Sequence, residues 1–191
     1  QRQMCIRDRG ETRRVLGVIR PTAECIGQIT HSRHVGILAT SGTISSGSYP
    51  LEIRKLYPDI VVSGEACPMW VPLVENYEYD SPGADYFVEK RIGNLLRKDP
   101  AIDTIVLGCT HYPLLLNKIL KYTPRNVRIV PQGEYVAYSL KDYLQRHTEI
   151  ETLCTQSGTC RFLTTESPDK FMESASIFLR QHVEAERVVL E

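Results

Sequence analysis

A cysteine and a histidine two positions apart are the residues in this chain whose types are best suited to chemistry. Residues 105–115 read Ile-Val-Leu-Gly-Cys-Thr-His-Tyr-Pro-Leu-Leu, which predicts a buried strand, a glycine turn, a reactive triplet and a helix with Pro113 in its first turn. Ligands of an open parallel sheet bind beyond the carboxyl ends of its strands, where Cys109 would lie. Backbone N–H groups and the positive end of the following helix favour a thiolate at that position.

The two residues after Cys109 extend this candidate site. His111 is close enough in sequence to exchange protons with the sulfur or a ligand, and Thr110 offers a hydroxyl and a backbone donor for a carboxylate. The alternative is a buried structural cysteine beside a solvent-facing histidine, because free cysteines are commonly buried. Polar Thr110 and His111 serve no evident packing need, which favours the functional interpretation. A phosphatase-type Cys-x5-Arg loop is excluded because Leu115 occupies the arginine position.

Two further segments could line the site. Residues 37–49 predict a strand leading into a hydroxyl-rich loop around Thr43, and such a loop can hold an anion on its N–H groups. The loop lacks the lysine of a phosphate-binding loop, so a carboxylate ligand, or a capped helix start without a ligand, are the alternatives. Residues 65–75 contain two prolines and predict a rigid loop. In that loop Cys67 is expected to pack, and Glu75 is a candidate acidic group facing the site.

Short β-branched runs alternate with amphipathic stretches along most of the chain. Apolar residues recur at helical spacing over 83–98, and Pro50 fits the first turn of a second helix. Strands separated by helices of this length are typical of βαβ units, so we predict an α/β fold with a parallel sheet and right-handed crossovers. The predicted strands are residues 15–19, 35–40, 60–63, 104–108 and 127–130.

Residues after Pro131 differ in character from the preceding part. The pattern predicts a helix over about 134–145, a polar stretch and a short strand over 162–165. A last helix is predicted to open at Ser167-Pro168-Asp169 and to end at about Leu179. The charged tail beyond Gln181 is expected to be frayed.

Composition narrows the classes of function. The 191 residues include 42% hydrophobic and 24% charged residues, and 23 basic residues balance 23 acidic ones. This balance gives no support for binding to nucleic acid or to an anionic membrane. There is no apolar run of the roughly 18 residues that span a membrane, and no secretory signal pattern. We therefore expect a soluble, cytoplasmic protein.

The six cysteines form no CxxC pair. In a reducing compartment they are expected to be free thiols. Cys154 and Cys160, spaced C-x5-C, could form a disulfide or half of a metal site. No second ligand pair with zinc spacing accompanies them, so we expect no metal.

Residues 108–115, Gly-Cys-Thr-His-Tyr-Pro-Leu-Leu, closely resemble the glutamate racemases of the aspartate/glutamate racemase family. The resemblance extends to residues 18–21, 38–43, 66–75 and 132–134. It covers nearly all of the chain from Val15 to Leu179. Aspartate and hydantoin racemases are similar after Gly-Cys-Thr, but they usually lack the His-Tyr-Pro that follows here.

The resemblance implies a cofactor-independent enzyme that interconverts L- and D-glutamate for peptidoglycan synthesis. The family has two α/β lobes of the three-layer, parallel-sheet type, and each lobe contributes one cysteine to a site between them. One thiolate removes the Cα proton while the other thiol donates a proton from the opposite face. By motif, Cys109 is the second-lobe acid/base, Thr110 and His111 bind substrate, and His111 also helps proton transfer. Thr43 and Glu75 line the site.

The chain departs from the family pattern at its start. Residues 1–9 look like the translation of a sequencing adapter, and no Asp-Ser-Gly, Tyr-Gly or Ala-Cys-Asn-Thr string occurs before Val15. We therefore expect a non-native run over 1–9, a hinge and crossing strand over 10–21, and the second lobe over 22–130. Residues 131–191 would return to a mostly missing first lobe.

On this interpretation the chain carries one of two proton carriers and is inactive as given. Two alternatives to this interpretation stay open: a related racemase or decarboxylase acting on another small acid such as aspartate, and a non-catalytic module that binds a ligand or partner near Cys109. The sequence leaves open whether the chain forms a homodimer.

Overall fold

The structure is a computed structural model that describes residues 16–190. It divides into two compact units, the first ending at Tyr143 and the second beginning at Leu144. All candidate site residues belong to the first unit. Its strands are β1 (His34–Ala39), β2 (Val61–Ala66), β3 (Thr104–Leu107) and β4 (Arg128–Pro131). The helices that begin in it are α1 (Ile19–Ile29), α2 (Ser41–Ser45), α3 (Ser48–Leu56), α4 (Trp70–Glu75), α5 (Pro82–Lys98), a 3₁₀ helix (Tyr112–Leu115), α6 (Leu116–Tyr122) and α7 (Gln132–Arg146).

The four strands form one parallel sheet in the order β2-β1-β3-β4. All residues of β3 are buried, and β1 is buried from Val35 onward. These continuous apolar runs are what a parallel strand covered on both faces requires. The prediction of an α/β fold with a parallel sheet is therefore confirmed, and these four strands lie within a few residues of four of the five predicted ones.

Helices cover both faces of this sheet. Val35 and Ile37 belong to a buried cluster that also contains Ile26 of α1 and Ile53 of α3. A Cβ built on the intervening Gly36 would lie 2.7 Å from Leu95 Cδ2 of α5. Because successive strand residues point to opposite faces, α1 and α3 cover one face and α5 covers the other, which makes three layers.

Helix α5 follows directly from its sequence. The Ser81 side chain caps it by accepting from Ala84 N–H, and Pro82 occupies the first turn. The helix ends with Arg97 and Lys98 in its last turn, where basic groups complement the helix dipole. Its buried residues are Ala84, Val88, Ile92 and Leu95, which is the apolar stripe that predicted it. Within residues 16–190 no helix is both long and apolar enough to cross a bilayer.

The second unit contains α8 (Thr148–Glu151), β5 (Phe162–Thr164), α9 (Pro168–Leu179) and β6 (Ala185–Arg187). Strands β5 and β6 pair in parallel, with Phe162 opposite Ala185. The predicted helix from Pro168 to about Leu179 and the strand at 162–165 are confirmed. The prediction of a frayed tail beyond Gln181 is wrong, because residues 185–187 pair with β5 and Val183 is buried.

Two predicted elements of the first unit differ from the structure. The strand predicted over 15–19, within the expected hinge at 10–21, is absent over 16–18, and α1 begins at Ile19. The rigid loop predicted over 65–75 is replaced by the end of β2 and the short helix α4. Helix α4 forms because Trp70, Leu73 and Val74 bury one face, and packing of such a face stabilises a short helix more than its residue propensities do. The expected non-native run over 1–9 lies outside the described residues.

Candidate active site

The candidate site lies at the carboxyl edge of the parallel sheet. Thr40 follows β1, Cys67 follows β2, Cys109 follows β3 after one glycine, and Gln132 follows β4. Gly108 N–H donates to Leu38 O at 2.8 Å, so the β1–β3 ladder continues up to the residue before Cys109. Since parallel strands end at the same edge, these four chain segments leave the sheet side by side.

Cys109, His111 and Glu75 form a continuous chain of polar contacts at this edge. Cys109 Sγ lies 3.8 Å from His111 Nδ1. His111 Nε2 lies 2.6 Å from Glu75 Oε1. The side chains of His111 and Glu75 are 31% and 59% exposed, respectively. The three groups therefore have the connectivity of a thiol, a base and an acidic group that orients the base.

The two threonines predicted to bind substrate have different surroundings. Thr110 is exposed between Cys109 and His111. Thr43 lies in the first turn of α2, where its N–H donates to Thr40 Oγ1 at 3.4 Å and its hydroxyl lies 3.1 Å from the same oxygen. Thr40 thus caps α2, as expected of a capped helix start. Among the described residues, Thr43 has no recorded polar contact with Cys109.

An aromatic pair underlies the Glu75–His111 contact. Trp70, the first residue of α4, and Tyr112, next to His111, are both fully buried. Their rings meet edge to face with centroids 4.7 Å apart. The Tyr112 hydroxyl also donates to Cys67 O at 3.3 Å. These contacts hold helix α4 against the 3₁₀ helix that follows His111.

Cys67 is packed rather than reactive, as the sequence predicts. Its side chain is fully buried. Burial, followed by the nearby negative charge of Glu65, raises the pKa of the Cys67 thiol far above its ordinary value. A thiol held protonated in this way is a poor nucleophile and a poor proton acceptor.

Glu65 is a buried carboxylate beneath the same edge of the sheet. Burial by itself raises its pKa, but hydrogen bonds from Lys98, Asn94 and Arg91 outweigh that effect and hold it below its ordinary value. Asn94 and Arg91 each lie 3.0 Å from Glu65 Oε1. All three donors belong to α5, so the carboxylate fastens α5 to the end of β2. The residues between 16 and 190 contain no group of three or more His, Cys, Asp or Glu side chains that could hold a metal ion.

Sequence reasoning missed Tyr49, whose ring packs against Gly108 next to Cys109, and Gln132, which is a polar partner of Tyr49. Burial, the larger effect, raises the pKa of Tyr49 to about 12, with a hydrogen bond from Gln132 opposing this and the charge of Cys109 adding to it. Gln132 also donates to Thr22 Oγ1 at 3.0 Å. The available signal was the position of Gln132, the second residue after the strand predicted over 127–130.

Comparison with known protein families shows the class of protein to which this chain belongs. A family model described as Asp/Glu/Hydantoin racemase matches residues 14–134. The chain therefore belongs to the Asp/Glu/Hydantoin racemase family.

Two relatives that match most of this chain are both named glutamate racemase. The chain is 35% identical over 167 residues to the glutamate racemase of Thermoanaerobacter sp. (strain X514), covering 87% of this chain and 62% of the relative. It is 36% identical over 176 residues to that of Streptococcus equi subsp. equi (strain 4047), covering 92% of this chain and 66% of the relative.

A solved structure is similar over nearly the whole chain. The crystal structure of glutamate racemase isoform RacE1 from Bacillus anthracis matches with a TM-score of 0.86 at 30% identity, covering 98% of this chain and 69% of that chain. The coverages of 62% and 66% given above mean that this chain spans a little under two thirds of the length of those two curated relatives.

Proposed function

We propose that Cys109 is a proton carrier in the racemisation of glutamate, with His111 as its base. The observation that carries this proposal is the chain of contacts from Cys109 Sγ through His111 to Glu75 Oε1. An ionised Glu75 can only accept a hydrogen bond, so it favours a proton on His111 Nε2. His111 Nδ1 then presents a lone pair to the thiol and can take its proton, and Glu75 stabilises the resulting imidazolium.

The substrate roles of the neighbouring residues follow from the same chemistry. A Cα–H beside a carboxylate is a very weak acid, so positioning and electrostatic stabilisation must supply most of the reduction in the barrier. We propose that Thr110, exposed beside Cys109, and Thr43, at the capped start of α2, bind substrate carboxylates. His111 contributes to binding as well as to proton transfer. Thiol and imidazole suffice for this proton exchange, so we propose that no cofactor takes part.

The broader biological role is part of the same proposal. D-glutamate formed by this reaction would supply peptidoglycan synthesis, and thereby cell-wall formation and cell shape, in the cytoplasm. The support is the membership of the family and the likeness to proteins named glutamate racemase. The division at residues 22–130 and 131–191 into a second lobe and a segment that returns to a first lobe also remains a proposal.

Inversion at Cα needs a second proton carrier on the opposite face of the substrate. Cys67, the other cysteine at this edge of the sheet among residues 16–190, is buried with a raised pKa and is unsuited to the role. We propose that the second carrier lies outside residues 16–190. Residues 16–190 by themselves would then exchange a proton on one face of glutamate without inverting it.

Hydrogen–deuterium exchange tests this function directly. The purified chain is incubated in D₂O with L- or D-glutamate, and loss of the Cα–H signal is followed by NMR together with chiral analysis of the product. We expect Cys109-dependent exchange in one enantiomer only, with no change of configuration. L-aspartate and D-aspartate are run in parallel to test the alternative substrate.

Two matched variants show whether the exchange depends on Cys109. Cys109→Ala removes the proposed carrier, and Cys160→Ala removes an exposed thiol of the second unit. Exchange that is absent, or that persists in Cys109→Ala, contradicts the role of Cys109. If exchange is faster with aspartate than with glutamate, aspartate replaces glutamate as the proposed substrate. Formation of D-glutamate from L-glutamate that Cys109→Ala abolishes would contradict the assignment of a single carrier.

A further inference from the structure

Gln132 joins three elements behind the turn that carries Cys109. It follows β4, and its side-chain amide donates to Thr22 Oγ1 of α1 at 3.0 Å. Its carboxamide also forms a hydrogen bond with the hydroxyl of Tyr49 in α3. Thr22 and Tyr49 are only 1% and 2% exposed. The proposed chemistry has no use for this buried polar link.

The ring of Tyr49 supports the backbone next to the reactive sulfur. A Cβ built on Gly108 would lie 3.1 Å from Tyr49 Cε2 and 3.2 Å from the Tyr49 hydroxyl oxygen. The same Cβ would also lie 3.1 Å from Ala39 Cβ of β1. The residue before Cys109 therefore packs closely against both a neighbouring strand and the Tyr49 ring, and there is no room for a side chain at this position.

The Tyr49 hydroxyl is held neutral at this place. Burial is the main reason that its pKa rises to about 12, and the charge of Cys109 acts in the same direction. A neutral hydroxyl keeps its hydrogen bond with Gln132 throughout the pH range in which a thiol and an imidazole exchange protons.

We propose that Gln132 and Tyr49 are positioning residues that set the direction in which Cys109 leaves β3 and hence its contact with His111. Gln132 fixes the Tyr49 hydroxyl, the Tyr49 ring fixes Gly108, and Gly108 fixes Cys109. This inference rests on the proposed role of Cys109, but it can be tested through the reactivity of the thiol without any turnover.

Site-resolved alkylation of the intact chain by iodoacetamide at pH 7, read by peptide mass spectrometry, is the test. Tyr49→Phe keeps the ring and removes the hydroxyl, and Gln132→Met removes the carboxamide at similar volume. Because the thiolate is the reacting form, we expect alkylation of Cys109 to slow about three- to tenfold, the factor for one net hydrogen bond. Tyr138→Phe is the matched control, since Tyr138 in α7 is 72% exposed.

The other cysteines separate positioning from unfolding. Cys67 is fully buried, so its alkylation would reveal an opening of the sheet edge. Cys160 is exposed, so its alkylation rate measures the activity of the reagent. A slower Cys109 with protected Cys67 and unchanged Cys160 supports the inference. A Cys109 rate that is unchanged or higher in both variants overturns it, as does a change that occurs only when Cys67 becomes reactive.

A further variant distinguishes this inference from the proposed function. If His111→Asn slows Cys109 but Tyr49→Phe and Gln132→Met do not, only the positioning inference fails. If His111→Asn also leaves Cys109 unchanged, the coupling of thiol and base that underlies the proposed function fails.

Discussion

Glu75 Oε1 lies 2.6 Å from His111 Nε2, although the two residues are 36 positions apart in the sequence. Glu75 is the last residue of α4, and His111 directly precedes the 3₁₀ helix. The contact therefore depends on how these two short elements pack through Trp70 and Tyr112. Glu75 contacts the same imidazole that faces Cys109. The contribution of Glu75 can therefore be measured through the reactivity of the Cys109 thiol.

Replacing Glu75 by glutamine tests that contribution. Glu75→Gln keeps the shape of the side chain but removes the charge that orients and stabilises His111. Because Glu75 is 59% exposed, solvent screens the pair, and we expect an effect on the order of 0.5–1 kcal/mol. Alkylation of Cys109 at pH 7 should slow about two- to fivefold. Glu89→Gln, at an exposed position of α5, is the control, and equal rates in the two variants would contradict the prediction.

A methyl group at residue 108 should distort the site. Gly108→Ala would place a Cβ 3.1 Å from both Ala39 Cβ and the Tyr49 ring, and crowding of this kind costs about 1–3 kcal/mol. We expect that loss in the free energy of unfolding in urea, together with slower alkylation of Cys109. Gly133→Ala is the control, because no atom beyond its chain neighbours and the nearby backbone of its own helix lies within 4 Å of its built Cβ, and alanine favours a helix. Equal stability of the two variants would count against the close packing at Gly108.

Removing the ring of Tyr112 should destabilise the first unit more than removing its hydroxyl. Tyr112→Phe loses the hydrogen bond to Cys67 O, at a cost of about 1 kcal/mol. Tyr112→Ala loses the contact with Trp70 as well and leaves a cavity, at a cost of about 3–5 kcal/mol. The sequence contains one tryptophan, so unfolding can be followed by Trp70 fluorescence. Similar losses in the two variants would be inconsistent with the ring contact.

Asp103, just before β3, should stabilise the fold in a pH-dependent way. Burial alone raises its pKa, but hydrogen bonds from Ser32 N–H, Thr30, Thr104 and His31 N–H outweigh burial and hold the pKa well below its ordinary value. The stabilisation is therefore complete above the unfolded-state value of about 3.9 and is lost as the pH falls toward the folded-state value.

Urea unfolding of Asp103→Asn at several pH values checks this sign. We expect the variant to be less stable than the parent chain at pH 7 and the difference to shrink as the pH falls below about 4. Asp80→Asn, at an exposed carboxylate, serves as the reference. A stability difference that is constant with pH, or that grows on acidification, would be the wrong sign.

Local pattern was sufficient for the sheet and for part of the site. Buried parallel strands have an unbroken apolar signature, and α5 has both a cap and an apolar stripe. Cys109 and His111 are neighbours in sequence at the end of such a strand, so their contact could be anticipated. The pattern was insufficient for α4 and for the start of α1. Helix α4 was missed because it is short and contains Pro72. The start of α1 was missed because the β-branched residues near Val18 suggested a strand.

The sequence by itself determined the α/β class, the place of the thiol at the end of a strand, and the family. Each of these depends on residue types and on spacings of a few positions. Only the tertiary structure decided that Glu75 meets His111, and that Thr22, Tyr49 and Gln132 join behind Gly108. Those contacts join residues tens of positions apart, and the packing of separate elements brings them within hydrogen-bonding distance.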